Sequence, residues 1–151
     1  QHKIIESFGK SVVERNKLSL KKLAEVSFSN KLNQQILNGI MWPEIYILID
    51  AAIHKAEAEN TKIFIIDAAM LFEAKIDNTL DSVLLITARK SIRIERALRR
   101  KNLALEQIQN RMSLQISEKI KKTKADYTIE NNGEEKNFYE KLEKYYSSLS
   151  I

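Results

Sequence analysis

Five of the chain's seven arginines fall within twelve residues: Arg89, Arg93, Arg96, Arg99 and Arg100. On a helix at about 100° per residue, Arg89, Arg93, Arg96 and Arg100 lie within about 60° of one another. They form a stripe roughly 16 Å long, with Arg99 off it. Like charges this close repel one another, so the stripe opposes helix stability unless something anionic meets it. One reading is a solvated face partly paired with carboxylates such as Glu95. The other is a clamp for phosphate oxygens, because guanidinium offers planar, bidentate donors that the ammonium of lysine does not. No aromatic residue occurs between Glu73 and Asp126, whereas single-stranded nucleic acid is ordinarily held on aromatic platforms. A compact polyphosphate therefore suits the stripe better than RNA or DNA, and nucleic acid is not the expected partner.

A second set of reactive side chains lies in IIDAAMLFE, residues 65–73. Asp67 leaves a short apolar run there and Glu73 closes the segment. A carboxylate at the C-terminal end of a strand can hold magnesium through water or orient a hydroxyl for phosphoryl transfer. Asp67 fits equally well as a helix cap or strand terminator, and Phe72 is by type a core residue. His2 and His54 belong to no partner motif, no His/carboxylate spacing suggests a resident metal, and the absence of cysteine excludes thiol ligands and disulfides.

The elements that must position these groups follow from composition and periodicity. At 151 residues with 44% apolar content the chain can build a core, and three glycines and one proline argue against an all-β sandwich. The net charge of +5 suits an anionic partner but is also a common solubility device. The most apolar run, 45–53, is short for a bilayer span and carries Asp50, so no membrane and a cytoplasmic location are expected. Helical periodicity covers 3–15, then 20–28 behind Ser19 as N-cap, then 31–58 with Pro43 as a break or new first turn. KIFIID (62–67) and DSVLLIT (81–87) have the β-branched look of buried strands, and DYTIE (126–130) is a weaker third. Helix is expected over 89–101, on to about 124 as a long polar stretch, and again over 134–146. Strands separated by helices, without hairpin turns between them, imply a parallel sheet flanked by helices with its ligands at the C-terminal strand ends. The chain starts at Gln1 inside a helical pattern, which suggests that its beginning lies upstream.

These landmarks resemble the dephospho-CoA kinase family of P-loop kinases along almost the whole chain. IIESFGKSVV and LKKLAEVSFSN look like the family's "FG" helix and "R..L...F" segment, IMWPEI like its "hPxv" element, and IIDAAMLFE like its "dvPLLfE" loop. RIERALRR matches the "Q..R...R" lid helix, LEQIQNRMSLQ its "e.a..Ri..Q" continuation, and KADYTIENNG closely resembles "aDyvIdNxG". The resemblance implies an α/β fold, a three-layer P-loop kinase-like parallel sheet flanked by helices, with a helical substrate segment and an arginine-rich helical lid. It implies ATP with Mg2+ and dephospho-CoA as partners, and phosphorylation of the acceptor's 3′-hydroxyl. By it, Arg96 and Arg100 would be lid arginines at the ATP phosphates, with Arg93 beside them. Asn131 and Gly133 would lie by the adenine. Leu71, Phe72, Glu73 and Trp42 would serve the acceptor, and Arg111 and Gln115 would support the lid.

The same comparison divides the chain into a helical substrate segment (1–60), core strands with the acceptor loop (61–88), the lid (89–124), and the last strand with adenine loop and C-terminal helix (125–151). The family's GxxxxGK[ST] phosphate loop and the acidic "D.D" segment after it do not occur in these residues, so this chain alone is expected to be inactive. Leu20, Trp42 and Ala69 replace the arginine, histidine and proline of the quoted patterns. Two other readings stay open at this point: a non-catalytic polyanion- or RNA-binding module, and a P-loop kinase with another small-molecule acceptor. Oligomeric state is not legible.

Overall fold

The computed structural model describes residues 1–100 and 102–149, and the chain divides into two compact units, Gln1–Ile65 and Ile66–Ile151. In the first unit, helix α1 (His2–Phe8) ends at Gly9, whose φ of 67° is left-handed and favours glycine. The helix expected to reach residue 15 therefore stops there and gives way to a 3-10 turn (Gly9–Val12). Strands β1 (Val13–Glu14) and β2 (Lys17–Leu18) then form a small antiparallel hairpin. Its two-residue turn is Arg15–Asn16, both at positive φ (49° and 59°). That backbone matches strand twist, but no glycine marks it, which hides the hairpin from sequence reading.

Helix α2 (Leu20–Ser27) starts at Ser19, whose hydroxyl accepts the Lys22 N–H, as its residue type predicts. Helix α3 (Lys31–Ala58) is capped by Asn30, which accepts the Asn33 N–H at 2.9 Å. Pro43 lies inside α3 and does not end it. Ile4, Val12 and Leu23 form this unit's core, joined by Leu37 and Ile40 from the first half of α3. Further along, Ile47 and Leu48 are 65% and 70% exposed. The apolar run at 45–53 thus belongs to a 28-residue helix that, by length and composition alone, is sufficient to cross a membrane.

The second unit holds strands β3 (Leu84–Thr87) and β4 (Tyr127–Glu130), which pair in parallel with Leu84 opposite Tyr127 and Thr87 opposite Glu130. Between them lie α4 (Lys90–Arg99), α5 (Leu105–Ser113) and α6 (Glu118–Lys124), and α7 (Glu135–Ser148) follows. The Asp126 carboxylate accepts the Val83 N–H at 2.8 Å while the Asp126 N–H donates to the Val83 carbonyl, which fixes the register at the pair's start. Ile129 is 2% exposed, and the ring of Tyr127 meets that of Tyr145 on α7 at 4.9 Å.

Two expectations are corrected. The long polar helix breaks into α5 and α6, because Ser117 accepts the Ile120 N–H to start a new helix. KIFIID forms no strand among the described residues: a strand needs a ladder partner, and only β4 pairs with β3. The α/β class holds, with the parallel sheet represented by a two-stranded pair. Truncating Ile129 to Ala should lower unfolding free energy by about 3 kcal/mol, read from the urea midpoint at unchanged m-value.

Candidate active site

Thr87 and Glu130 stand opposite each other at the C-terminal ends of β3 and β4, where parallel sheets bind ligands. A cavity of about 510 Å³ opens there between the strand ends and the α5–α6 corner, with Arg89, Lys90 and Lys122 among its lining cations. A second cavity, about 320 Å³, separates the extended residues 66–69 from residues 83–87. Thr87, Arg93, Gln115, Glu118 and Lys121 line both cavities and so form a common wall.

Helix α6 organises that wall. The residues Glu118, Lys121 and Lys122 follow i, i+3, i+4 spacing, which gathers them on one helix face. Glu118 receives the Thr87 hydroxyl on one carboxylate oxygen and Arg93 Nη1, at 3.0 Å, on the other. Lys121 lies 3.2 Å from the Glu73 carboxylate, with side chains only 10% and 8% exposed. The same Glu73 oxygen accepts the Ile116 N–H at 2.9 Å, and Lys121 also reaches the Ala69 carbonyl at 3.4 Å. One turn on, Lys124 pairs with Asp77 at 3.1 Å and sits 5.7 Å from the centre of the Phe72 ring. The loop at 69–79 is thereby fixed to α6 by two ion pairs.

On the open side, Lys122 bonds Glu130 at 2.7 Å. That hydrogen bond, reinforced by the lysine's charge, holds the Glu130 carboxyl below its ordinary range, and Lys122 is raised by the same contact. Because the folded Glu130 pKa is depressed, its contribution is present at neutral pH and fades as pH falls through the folded value.

The arginines of the expected stripe meet different partners. Arg93 is held by Glu118, with its buried Nε unpartnered. Arg96 turns to the opposite strand's exit, donating to the Asn131 carbonyl at 2.9 Å and its side-chain oxygen at 3.3 Å. Arg99 pairs with Glu95 at 2.6 Å, and Arg100, just past α4, is exposed. Asn131 is half-buried beside the larger cavity's strand end, where its N–H donates to the Thr87 carbonyl at 2.7 Å. Gly133 is exposed, and a Cβ there would meet only Asn137 Nδ2, at 4.0 Å. Nothing in the protein itself therefore demands glycine at that position.

Leu71 and Phe72 are 8% and 6% exposed; both line the smaller cavity from within the core. Glu73 stands behind them, committed to Lys121. Gln115 lines both cavities, and Arg111 is half-buried on α5. Trp42 lies in the first unit, half-buried on α3. Asp67 is exposed at the edge of the smaller cavity. Among the described residues no three His, Asp or Glu side chains gather as a metal site, and both Glu118 oxygens are engaged.

Glu118, Lys121 and Lys122 were not among the residues expected at the site, and Thr87 was expected only as a strand end where ligands bind. The spacing of SEKIKK (117–122) is the signal for the three on α6.

Two outcomes follow from this geometry. Lys121→Met should destabilise the fold by roughly 3–5 kcal/mol by leaving a buried carboxylate unpaired, and adding Glu73→Gln should restore most of the loss; thermal melts of the three variants check this. Lys122→Met should raise the Glu130 titration midpoint toward the ordinary carboxylate range, followed by side-chain NMR.

A family model described as dephospho-CoA kinase matches residues 1–137. The dephospho-CoA kinase of Chlamydia felis is 33% identical over 149 residues, spanning 98% of this chain and 74% of that protein. That of Fusobacterium nucleatum is 29% identical over 150 residues, spanning 99% and 76%. Among solved structures, the dephospho-CoA kinase from Campylobacter jejuni superposes with a TM-score of 0.63 at 29% identity, over 98% of this chain and 74% of that one. TT1252 from Thermus thermophilus superposes with a TM-score of 0.71 at 22% identity, over 99% and 76%. These structural likenesses give the chain a P-loop kinase-like α/β fold.

Proposed function

Because the chain belongs to the dephospho-CoA kinase family, we propose that it serves the last step of coenzyme A synthesis, moving the γ-phosphoryl of MgATP to the 3′-hydroxyl of dephospho-CoA. The supporting observation is the pair of cavities at the strand ends with one polar wall in common. Phosphoryl transfer asks the protein mainly for positioning and charge neutralisation, so donor and acceptor on opposite sides of such a wall is an arrangement suited to it. The 3′-oxygen attacks the γ-phosphorus, the bond to the β,γ-bridging oxygen breaks, and ADP leaves.

In this reading ATP occupies the larger cavity. Arg93 neutralises phosphate charge on the donor side, and Arg100 closes over the phosphates from the exposed end of α4. Arg96 works through Asn131: its bond to that residue's carbonyl sets the loop that, with Gly133, lies against the adenine. Leu71 and Phe72 form the floor of the acceptor side, and Glu73 fixes that floor to α6. Gln115 and Arg111 support the α5 side of the lid, and Trp42 is assigned to acceptor binding on family resemblance alone. Residues 1–60 would then be the helical substrate segment, 61–88 the core and acceptor loop, 89–124 the lid, and 125–151 the adenine side. Magnesium would arrive with ATP, held by the phosphates. A cytoplasmic reaction suits a chain without cysteine, and α3 reads as a helix of a soluble enzyme because Leu37 and Ile40 pack on its own unit's core. The family match favours this kinase over a polyanion-binding module or another acceptor.

Residues 1–151 contain no GxxxxGK[ST] loop, and without its backbone donors and lysine the β- and γ-phosphates lack their usual cradle. The chain alone should show negligible ADP release from MgATP and dephospho-CoA. Fused to a strand–loop–helix unit bearing that loop, it should turn over only when dephospho-CoA is present. A folded fusion that hydrolyses ATP at the same rate with and without the acceptor would refute the assignment.

A further inference from the structure

Five residues separate the two cavities, and only two of them are cations, Arg93 and Lys121. Arg93 faces Glu118 at 3.0 Å and is already assigned to the donor side. Lys121 is differently placed. It is buried, yet it opens on both cavities. Its ammonium carries three donors, and two acceptors meet it: one Glu73 oxygen at 3.2 Å and the Ala69 carbonyl at 3.4 Å. The second Glu73 oxygen is buried without a partner, so the pair is geometrically fixed while its hydrogen bonding is incomplete. A lysine whose only task was to neutralise Glu73 would be expected to satisfy both carboxylate oxygens and to face one side only.

We propose that Lys121 is a phosphate-binding residue at the boundary of the two cavities, held in place by Glu73 and donating its remaining N–H to a phosphoryl oxygen that reaches the common wall. Glu73 is then a positioning residue: it brings a buried ammonium to one place on a short helix and, through the Ile116 N–H, ties that place to the α5–α6 corner. This rests on the nucleotide reading of the larger cavity and adds to it a fixed positive charge at the boundary that a phosphoryl oxygen meets from either side. Lysine suits the role because its ammonium carries three donors, one more than its two protein acceptors use.

The test uses the chain as it is, with inorganic tripolyphosphate as probe, titrated at low salt and followed by amide chemical shifts at Thr87, Ile116 and Lys121. The variants are Lys121→Met, Glu73→Gln, and the neutral double variant, which keeps the wall folded if the single one does not. Loss of one charge-assisted contact should weaken binding about tenfold or more. It should do so in the double variant as well, whereas Glu73→Gln, which keeps the ammonium but loses its carboxylate anchor, should weaken binding less than Lys121→Met. Parental affinity in the folded double variant would show that Lys121 merely neutralises Glu73, and would overturn the proposal while leaving the nucleotide site standing. If the parent chain gives no shifts with tripolyphosphate the proposal falls, whereas the nucleotide reading itself fails only if the chain fused to the strand–loop–helix unit gives none with ATP.

Discussion

The buried contact between Lys121 and Glu73 is the interaction on which the rest of the site depends. Each group alone would be intolerable in a nearly dry setting; together they let two chain segments of different character meet. One is a loop that ends in a 3-10 turn, Ile76–Thr79, and the other a seven-residue helix too short to be stable in isolation. Helix α6 persists because its side chains are spoken for on several sides: Glu118 toward β3 and α4, Lys121 and Lys124 toward the 69–79 loop, and Lys122 toward β4. A basic helix that looks like solvated surface in sequence is in fact the joint at which strand ends, the 69–79 segment and α4 come together.

What the sequence revealed and what it concealed divide along physical lines. Ser19 and Asn30 announce helix starts through side-chain chemistry that acts locally, and both cap as their types require. The parallel pairing of 84–87 with 127–130 follows from strand–helix alternation, a pattern that chain connectivity enforces. Gly9, by contrast, ends α1 through a backbone angle that no neighbouring residue signals, and the Arg15–Asn16 turn uses left-handed geometry without glycine. The partners of the arginines were also out of reach. Helical spacing places Arg93 and Arg96 on one stripe, but only the packing of α6 and the course of the loop after β4 send one to Glu118 and the other to Asn131.

KIFIID illustrates a different limit. Its β-branched composition is that of a strand buried on both faces, but strand character is a property of a pair. Ile65 is 80% exposed and Phe64 43% exposed. Composition carries the propensity; the hydrogen-bond ladder must come from a neighbour. The cavity between residues 66–69 and 83–87 shows the same condition from the other side, as two extended segments facing one another across open space.

The lock between Val83 and Asp126 spans 43 residues of chain, and this has a kinetic meaning. Three helices must be accommodated before the two strands can meet, so the loop-closure entropy falls on the one contact that defines the sheet. Helices α4, α5 and α6 rely on short-range contacts and can form early, while the floor beneath Thr87 and Glu130 waits for a long-range event. The order of assembly thus runs opposite to the order of importance: the helices stand before the strand ends they flank have met.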